Sequence, residues 1–129
     1  MPKQRQRRSE SLPNDAALVL RGDDLDPTAL LAAAKENAGI YGFYGLSVFV
    51  EVAGFSWDRI AGERLGRAQW LAIFTVSDLL AAGLDLWDMG RAPHYDVVHE
   101  ECSELVFRFV GCPHRLVRNP HYDPPGGDG

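Results

Sequence analysis

The chain has 129 residues, a net charge of −5 and an apolar fraction of 46%, which is the composition of one globular domain with its own hydrophobic core. The charge is uneven, because residues 1–10 carry +3 and the remainder therefore carries −8. An acidic body repels phosphate at long range, which excludes broad binding to duplex DNA, and no apolar run approaches the ~20 residues of a membrane span.

The two ends of the chain are predicted to be disordered tails. Residues 1–14 form a basic, polar segment, and residues 119–129 are rich in proline and glycine, which sustain neither helix nor strand. A single domain is therefore expected over residues 15–118.

Apolar periodicity and helix-capping residues predict the first half of this domain. The apolar run 16–20 indicates a buried strand. Asp26 followed by Pro27 is typical of a helix start, and Gly39 is expected to end that helix. Residues 46–52 alternate between apolar and other side chains, which predicts a second strand.

Two further capping residues organise the middle of the chain. Ser56 predicts the start of a short helix. Residues 70–76 are apolar and β-rich, so we expect a strand that leads directly into a helix capped by Thr75.

The last part of the domain combines a hairpin, a helix and a strand. Residues 84–87 and 94–99 flank a turn and predict a β-hairpin. Residues 102–110 carry one apolar stripe at helical spacing, and residues 114–118 indicate a final short strand. The order β-α-β-α-β-α-β-β-α-β predicts an α+β fold, a mixed β-sheet with three to four helices packed on it. Alternating strands and helices favour parallel neighbours, and the hairpin adds an antiparallel part.

Composition also bears on location and cofactors. Two cysteines do not make a disulfide framework, so a reducing cytoplasm is expected, and the excess of arginine over lysine suggests a bacterial source. The chain has no glycine-rich phosphate-binding motif, and no cofactor is predicted.

Histidine, tyrosine and arginine side chains are the best candidates for chemistry. Histidine transfers protons near neutral pH, and arginine binds phosphate through two parallel hydrogen bonds, so together they suit metal-independent cleavage of RNA. The predicted catalytic residues are His94, Tyr95, His99 and Arg21. The residues predicted to bind phosphate or another ligand are Arg115, Arg118, Ser47, Tyr41 and Tyr44, the two tyrosines because they lie in a glycine-rich loop where rings could stack on a base.

Two groups of side chains suit either a metal ion or an ordinary structural role. His99, Cys102, Cys112 and His114 offer two nitrogen and two sulfur ligands, as zinc prefers, but Cys102 also lies on the apolar stripe of a helix. The aspartates of the hairpin, at positions 85, 88 and 96, could face a divalent cation or simply be solvated. No metal site is predicted.

The run Leu-Val-Leu-Arg-Gly at residues 18–22 resembles the first strand of ADP-ribosyltransferases. The resemblance implies that Arg21 binds the phosphates of a dinucleotide and that Ser47 is the serine of a later strand. It also implies a catalytic acid, for which Glu100 or Glu101 is available.

Two classes of function follow. The first is a small interaction or regulatory module with a protein partner, such as one half of a bacterial two-gene, toxin–antitoxin-like pair. The second is a small metal-independent enzyme acting on RNA or a nucleotide, either RNase-like or ADP-ribosyltransferase-like. The enzyme hypothesis requires Arg21, Ser47, His94 and an acid or second histidine to line one pocket.

Overall fold

A computed structural model describes residues 17–123 of the chain. The predicted basic tail and the last part of the predicted C-terminal tail lie outside the described residues. The described strands are β1 (Leu18–Gly22), β2 (Gly45–Val50), β3 (Trp70–Thr75), β4 (Asp85–Arg91), β5 (His94–Val98) and β6 (Arg115–Arg118). The described helices are α1 (Pro27–Tyr41), α2 (Trp57–Glu63), α3 (Val76–Ala81) and α4 (Cys102–Gly111).

The predicted N-caps start the first three helices. The side chain of Asp26 accepts the N–H of Ala29 at 2.9 Å, that of Ser56 accepts the N–H of Arg59 at 3.2 Å, and Thr75 caps α3 in the same way. Each bond satisfies a backbone donor that has no partner inside its helix, and this confirms the three predicted starts.

The end of α1 differs from the prediction. The helix passes through Gly39 and ends at Gly42, which has a φ of 87° and donates its N–H to the carbonyl of Ala38 at 2.9 Å. This left-handed conformation is the one that favours glycine after a helix, and Gly42, not Gly39, adopts it.

The α+β class and the predicted order of elements are confirmed, but the expected parallel neighbours were wrong. The strands form one sheet in the order β4-β5-β2-β1-β3-β6, and every neighbouring pair is antiparallel. In the sequence, β2 and β3 flank helix α2, and they run in the same direction, as expected. In the sheet, however, β1 lies between them. The two strands therefore never pair with each other.

The two faces of the sheet carry separate hydrophobic clusters. The larger cluster packs α1, α3 and α4 against one face, here called the core face, and includes Phe74 and Phe109 with ring centroids 4.7 Å apart. The smaller cluster packs α2 against β1 and β3 on the opposite face, here called the α2 face. On this face, β2 contributes Phe49 to the smaller cluster. The cluster contains no residue of β4 or β5, so α2 does not cover that part of the sheet.

The described end of the chain packs against α2. Asn119 is buried, and the N–H of Asp123 donates to the carbonyl of Gly66 at 2.8 Å. The folded domain therefore extends beyond Arg118. Within residues 17–123, every helix is too short or too polar to cross a membrane.

Candidate functional site

Strand alternation places three polar side chains together on the α2 face. Leu20 lies in the smaller cluster and is paired with Phe49, so both side chains are on this face. Ser47 lies two residues from Phe49, and His94 and Asp96 are paired with Phe49 and Ser47 respectively. Since cross-strand partners and alternate residues share a face, Ser47, His94 and Asp96 form a group on two adjacent strands.

The three side chains are in contact through one histidine nitrogen. Ser47 Oγ lies 2.9 Å from His94 Nε2, and Asp96 Oδ1 lies 3.4 Å from the same atom. A serine-hydrolase relay needs the serine and the carboxylate on opposite ring nitrogens, so this is not a catalytic triad of that kind. The group is instead a histidine flanked by a hydroxyl and a carboxylate.

Asp96 is the most deeply buried member of this group. Its side chain is 3% exposed, and Oδ2 has no hydrogen-bond partner among the described residues. A buried carboxylate without full hydrogen bonding is costly, and such groups concentrate at functional sites. By contrast, 29% of the His94 side chain is exposed, so its ring is open to a ligand.

Arg21 completes the group from β1, at the point where the ladder between β1 and β2 stops. The two strands pair at only two positions. The N–H of Glu51 bonds to Leu18 on the β1 side, so by alternation the backbone of Ser47 also points towards β1. Arg21 Nη1 donates to the Ser47 carbonyl at 2.7 Å and takes the place of the missing backbone bond. Arg21 therefore holds β2, and with it Ser47, in position.

Burial and two carboxylates act in opposite directions on the pKa of Arg21. Its side chain is 15% exposed, and Nε lies 3.5 Å from Asp24 Oδ1. Burial lowers the pKa of the Arg21 guanidinium, while the negative charges of Asp24 and Asp96 raise it. The guanidinium remains charged in any case and compensates the buried Asp96 carboxylate.

A cavity of about 500 Å³ opens beside Arg21 and Ser47 and is called the arginine cavity. Arg64 and Arg67, from the segment between α2 and β3, line it and are exposed. Neither forms an ion pair or a side-chain hydrogen bond with another described residue. Its three arginines outnumber its two aspartates, so it is locally positive on an acidic protein.

A second cavity of about 370 Å³ lies at the other side of the group and is called the aromatic cavity. Two of its walls are Phe43 and Trp87, whose ring centroids are 4.7 Å apart at 46°. Asp85, His99 and Glu100 supply its polar groups. Among residues 17–123, the charged side chains that line it are the two carboxylates of Asp85 and Glu100.

The predicted tyrosines lie elsewhere. Tyr95 is 4% exposed and packs into the larger cluster, because it alternates with His94 and Asp96 and therefore points to the core face. Tyr44 packs against the same cluster. Tyr41 is at the end of α1, and its ring lies 6.1 Å from that of Phe43, which lines the aromatic cavity.

The predicted phosphate ligands Arg115 and Arg118 also lie apart from His94. They belong to β6, which is the edge strand on the far side of β3. Four strand spacings separate β6 from β5, a distance of about 19 Å. Arg118 lies over the ring of Trp70, with 5.9 Å between its Cζ and the ring centroid.

The zinc alternative finds no ligand cluster in the described part of the chain. Within residues 17–123, no three histidine, cysteine or acidic side chains come together as metal ligands. His114 Nδ1 lies 2.7 Å from the carbonyl of Cys112, and Cys102 Sγ approaches the carbonyl of Leu31 at 3.9 Å. Burial, with a smaller contribution from Asp78, raises the pKa of the Cys112 thiol to about 11, so this thiol is not an activated nucleophile.

The sequence did not predict that Asp96 lies beside His94 or that Arg64 and Arg67 line the arginine cavity. A signal for Asp96 was present, because it stands two residues from His94 on a predicted strand and so shares its face. No pattern marked the two arginines, which lie in an irregular segment.

Comparison with protein families, with curated proteins and with solved structures finds no match to this chain. The acids whose charges act on the Arg21 guanidinium are Asp24, with Oδ1 3.5 Å from Nε, and Asp96. Glu100 lines the aromatic cavity, and Glu101 precedes α4. Neither takes the position beside Arg21 that the resemblance to ADP-ribosyltransferases requires.

Proposed function

We propose that the protein is a small metal-independent enzyme that acts on a phosphodiester of RNA or of a nucleotide. The observation that carries the proposal is the convergence of Arg21, Ser47, His94 and Asp96 beside a cavity lined by two further arginines. A partly exposed histidine next to a buried, incompletely bonded carboxylate is an arrangement typical of acid–base catalysis.

In this proposal His94 is the proton-transfer group. The Asp96 carboxylate beside Nε2 favours a proton on that nitrogen and leaves Nδ1 to accept one from the attacking hydroxyl. On RNA, the 2′-oxygen would then bond to phosphorus and the bond to the 5′-oxygen would break. The departing 5′-oxygen takes up a proton, from the imidazolium or from water. Asp96 compensates the positive charge that the ring carries in between.

Arg64 and Arg67 supply the groups for phosphate. Both are exposed at the arginine cavity, whereas Arg21 is mostly buried and already bonded to Ser47. A guanidinium binds phosphate oxygens through parallel charge-assisted hydrogen bonds and neutralises charge that develops during transfer. The ring of Phe49, 5.8 Å from that of His94, offers an apolar wall to the sugar.

The proposal is tested by incubating the full chain with single-stranded RNA and with dinucleotides, with and without a chelator of divalent cations. We expect cleavage in both conditions. Replacing Arg64 and Arg67 by alanine should raise KM by roughly tenfold or more, since each lost phosphate contact weakens charge-dependent binding. The matched control is the double variant Arg115→Ala, Arg118→Ala, which removes the same charge from the far sheet edge and should leave KM unchanged. An equal rise in KM in the two double variants would contradict the proposal, and so would the absence of cleavage by the wild type.

A second candidate function, binding of a protein partner, is favoured by one observation. An apolar cavity of about 350 Å³ lies between α1 and α4, lined mainly by Leu31, Val106, Phe107 and Val110. The side chain of Phe107 is 75% exposed. Large apolar side chains that cluster at the surface mark sites of interaction with other proteins. This surface is where a partner of the proposed two-gene pair would bind.

The partner hypothesis is tested by replacing Phe107 with aspartate. We expect affinity for the product of the adjacent gene to fall by at least tenfold, because an apolar anchor is replaced by a charge that must be desolvated. Folding stability should be unchanged, since the side chain is exposed. A variant that binds as tightly as the wild type would exclude this surface, and Leu116→Asp, at another exposed apolar position, is the control.

A further inference from the structure

We propose that the outer edge of β6 binds an extended acidic segment of another protein, which adds to the six-stranded sheet as a further strand. Addition of a strand to an exposed sheet edge is a common mode of peptide recognition, in which backbone hydrogen bonds supply affinity and alternate side chains supply specificity. The inference goes beyond the proposed enzymatic activity, and it concerns a different element from the α4 surface at Phe107.

The backbone of β6 has hydrogen-bonding groups directed away from the sheet. Within residues 17–123, β6 is an edge strand that pairs with β3 alone. The N–H of Asn119, the residue after β6, donates to the carbonyl of Gln69 before β3 at 2.9 Å. By alternation the first and third residues of β6 also direct their backbone groups to β3, whereas Leu116 and Arg118 direct theirs outward. Two N–H groups and two carbonyls are therefore available to an added strand.

An exposed apolar surface lies beside these backbone groups. Leu116 is paired with the buried Ala72, and Arg118 is paired with Trp70, so all four side chains point to the core face. There the Leu116 side chain is 58% exposed and that of Trp70 is 40% exposed. An apolar side chain opposite Leu116 on an added strand would cover this surface and remove it from water.

The charge of the edge determines which strand fits. Arg115 and Arg118 stand at the two ends of β6, and both are exposed. Neither forms an ion pair with a residue in the range 17–123, and β6 itself contains no carboxylate. Carboxylates opposite the two arginines would form charge-assisted cross-strand pairs. An antiparallel partner strand therefore carries, in order, an acidic residue, any residue, an apolar residue and a second acidic residue.

The same charges disfavour a second copy of this chain as the added strand. Pairing of two β6 strands would bring four arginines and no carboxylate to one short ladder, where like charges repel. The opposite edge strand, β4, fits no better. In an antiparallel arrangement, placing Arg118 opposite Asp88 of a second copy also places Arg115 opposite Arg91.

The outward backbone groups favour a peptide over a nucleic acid. A phosphate backbone satisfies the two guanidinium groups, but it has no N–H donors at the spacing of a strand. It would leave the outward carbonyls of Leu116 and Arg118 without partners and the apolar surface exposed. A peptide satisfies the charges, the backbone groups and the apolar surface together.

The test measures binding of a labelled peptide to the full chain by fluorescence anisotropy. The peptide has glutamate, threonine, valine and glutamate at its centre, and a second peptide has lysine in place of both glutamates. We expect the acidic peptide to bind at least about tenfold more tightly than the lysine peptide. The double variant Arg115→Glu, Arg118→Glu should reverse this order. The matched control is Lys35→Glu, Arg91→Glu, which makes the same change of charge on α1 and β4 and should keep the original order.

A modification of the peptide tests the backbone contacts without altering the protein. N-methylation removes one N–H donor at a time from the acidic peptide. Methylation of the amides that face β6 should weaken binding by about tenfold or more, because the outward carbonyls of Leu116 and Arg118 lose their donors. Methylation of the alternate amides, which face solvent, should leave affinity unchanged.

Each contrary outcome overturns the inference. Absence of peptide binding, equal affinity for the acidic and lysine peptides, or equal effects of methylation on both sets of amides would exclude strand addition at β6. Polyuridylate that competes with the peptide at equal strength would assign the arginines to nucleic acid. Self-association that the Arg115→Glu, Arg118→Glu variant abolishes would assign the edge to a second copy. Because RNA cleavage is measured separately, failure of either proposal leaves the other unaffected.

Discussion

His94→Ala is expected to reduce turnover of RNA or dinucleotides by about 10²–10⁴-fold, the usual contribution of a positioned acid–base group. The imidazole contacts Ser47, which lines the arginine cavity, and 29% of its side chain is exposed, whereas the neighbouring Asp96 is buried. The free energy of unfolding should change little, because the ring is partly exposed and sits at the surface of the sheet. Turnover and denaturant melts measure the two quantities on the same preparation.

Two further variants show whether the loss is specific. His114→Ala removes a histidine that packs on Phe74 at the core face, with ring centroids 5.0 Å apart, and should leave the activity of the folded protein intact. Asp96→Asn keeps the shape of the side chain but removes its charge, so the pH profile of turnover should change as well as its rate. A His94→Ala protein with wild-type activity would refute acid–base catalysis at this site.

Asn119→Ala is expected to lower the free energy of unfolding by about 2–4 kcal/mol, since buried groups left without hydrogen bonds cost roughly 1–3 kcal/mol each. The side chain is 2% exposed. Its Nδ2 donates to the carbonyls of Ala61, Leu65 and Ala68 at 3.3, 2.8 and 3.0 Å, which joins the end of α2 to the segment before β3. Alanine removes this donor from the three carbonyls, of which that of Leu65 still accepts the N–H of Ala68.

The matched control for this variant is Asn37→Ala. Asn37 is half-buried and donates one hydrogen bond, to the carbonyl of Phe43 at 2.9 Å, so its loss should cost only about 1 kcal/mol. Urea denaturation of both variants measures the difference. An Asn119→Ala protein within about 0.5 kcal/mol of the wild type, the range of ordinary surface changes, would show that the segment does not depend on this side chain.

Local signals in the sequence predicted the elements well, for an identifiable reason. Asp26, Ser56 and Thr75 act on backbone groups within three residues of themselves, so their effect depends on nearby sequence alone. The end of α1 was misjudged, because Gly39 and Gly42 are both suitable and only the observed φ of 87° distinguishes them. Helix starts were therefore more predictable than helix ends.

The pairing of strands did not follow from such signals. The placement of β1 between β2 and β3 depends on which apolar faces meet in the interior. Because β1 separates these two parallel strands, every pair of neighbours in the sheet is antiparallel, whereas parallel neighbours were expected. The same arrangement put Tyr95 in the core and carried Arg115 to the opposite edge of the sheet. Residues of suitable chemistry close together in sequence were thus separated in space.

What the sequence determined by itself was the α+β class, the order of ten elements and the chemical character of Arg21, Ser47 and His94 as candidates. These follow from propensities and side-chain chemistry, which act over a few residues. The tertiary structure was needed to show that these three side chains meet, that Asp96 is the acid beside His94, and that two cavities lie on either side of the group. Such contacts join residues as far apart as Ser47 and His94, which are 47 positions from each other, and they arise from burial of both sheet faces, a property of the whole chain that no local pattern contains.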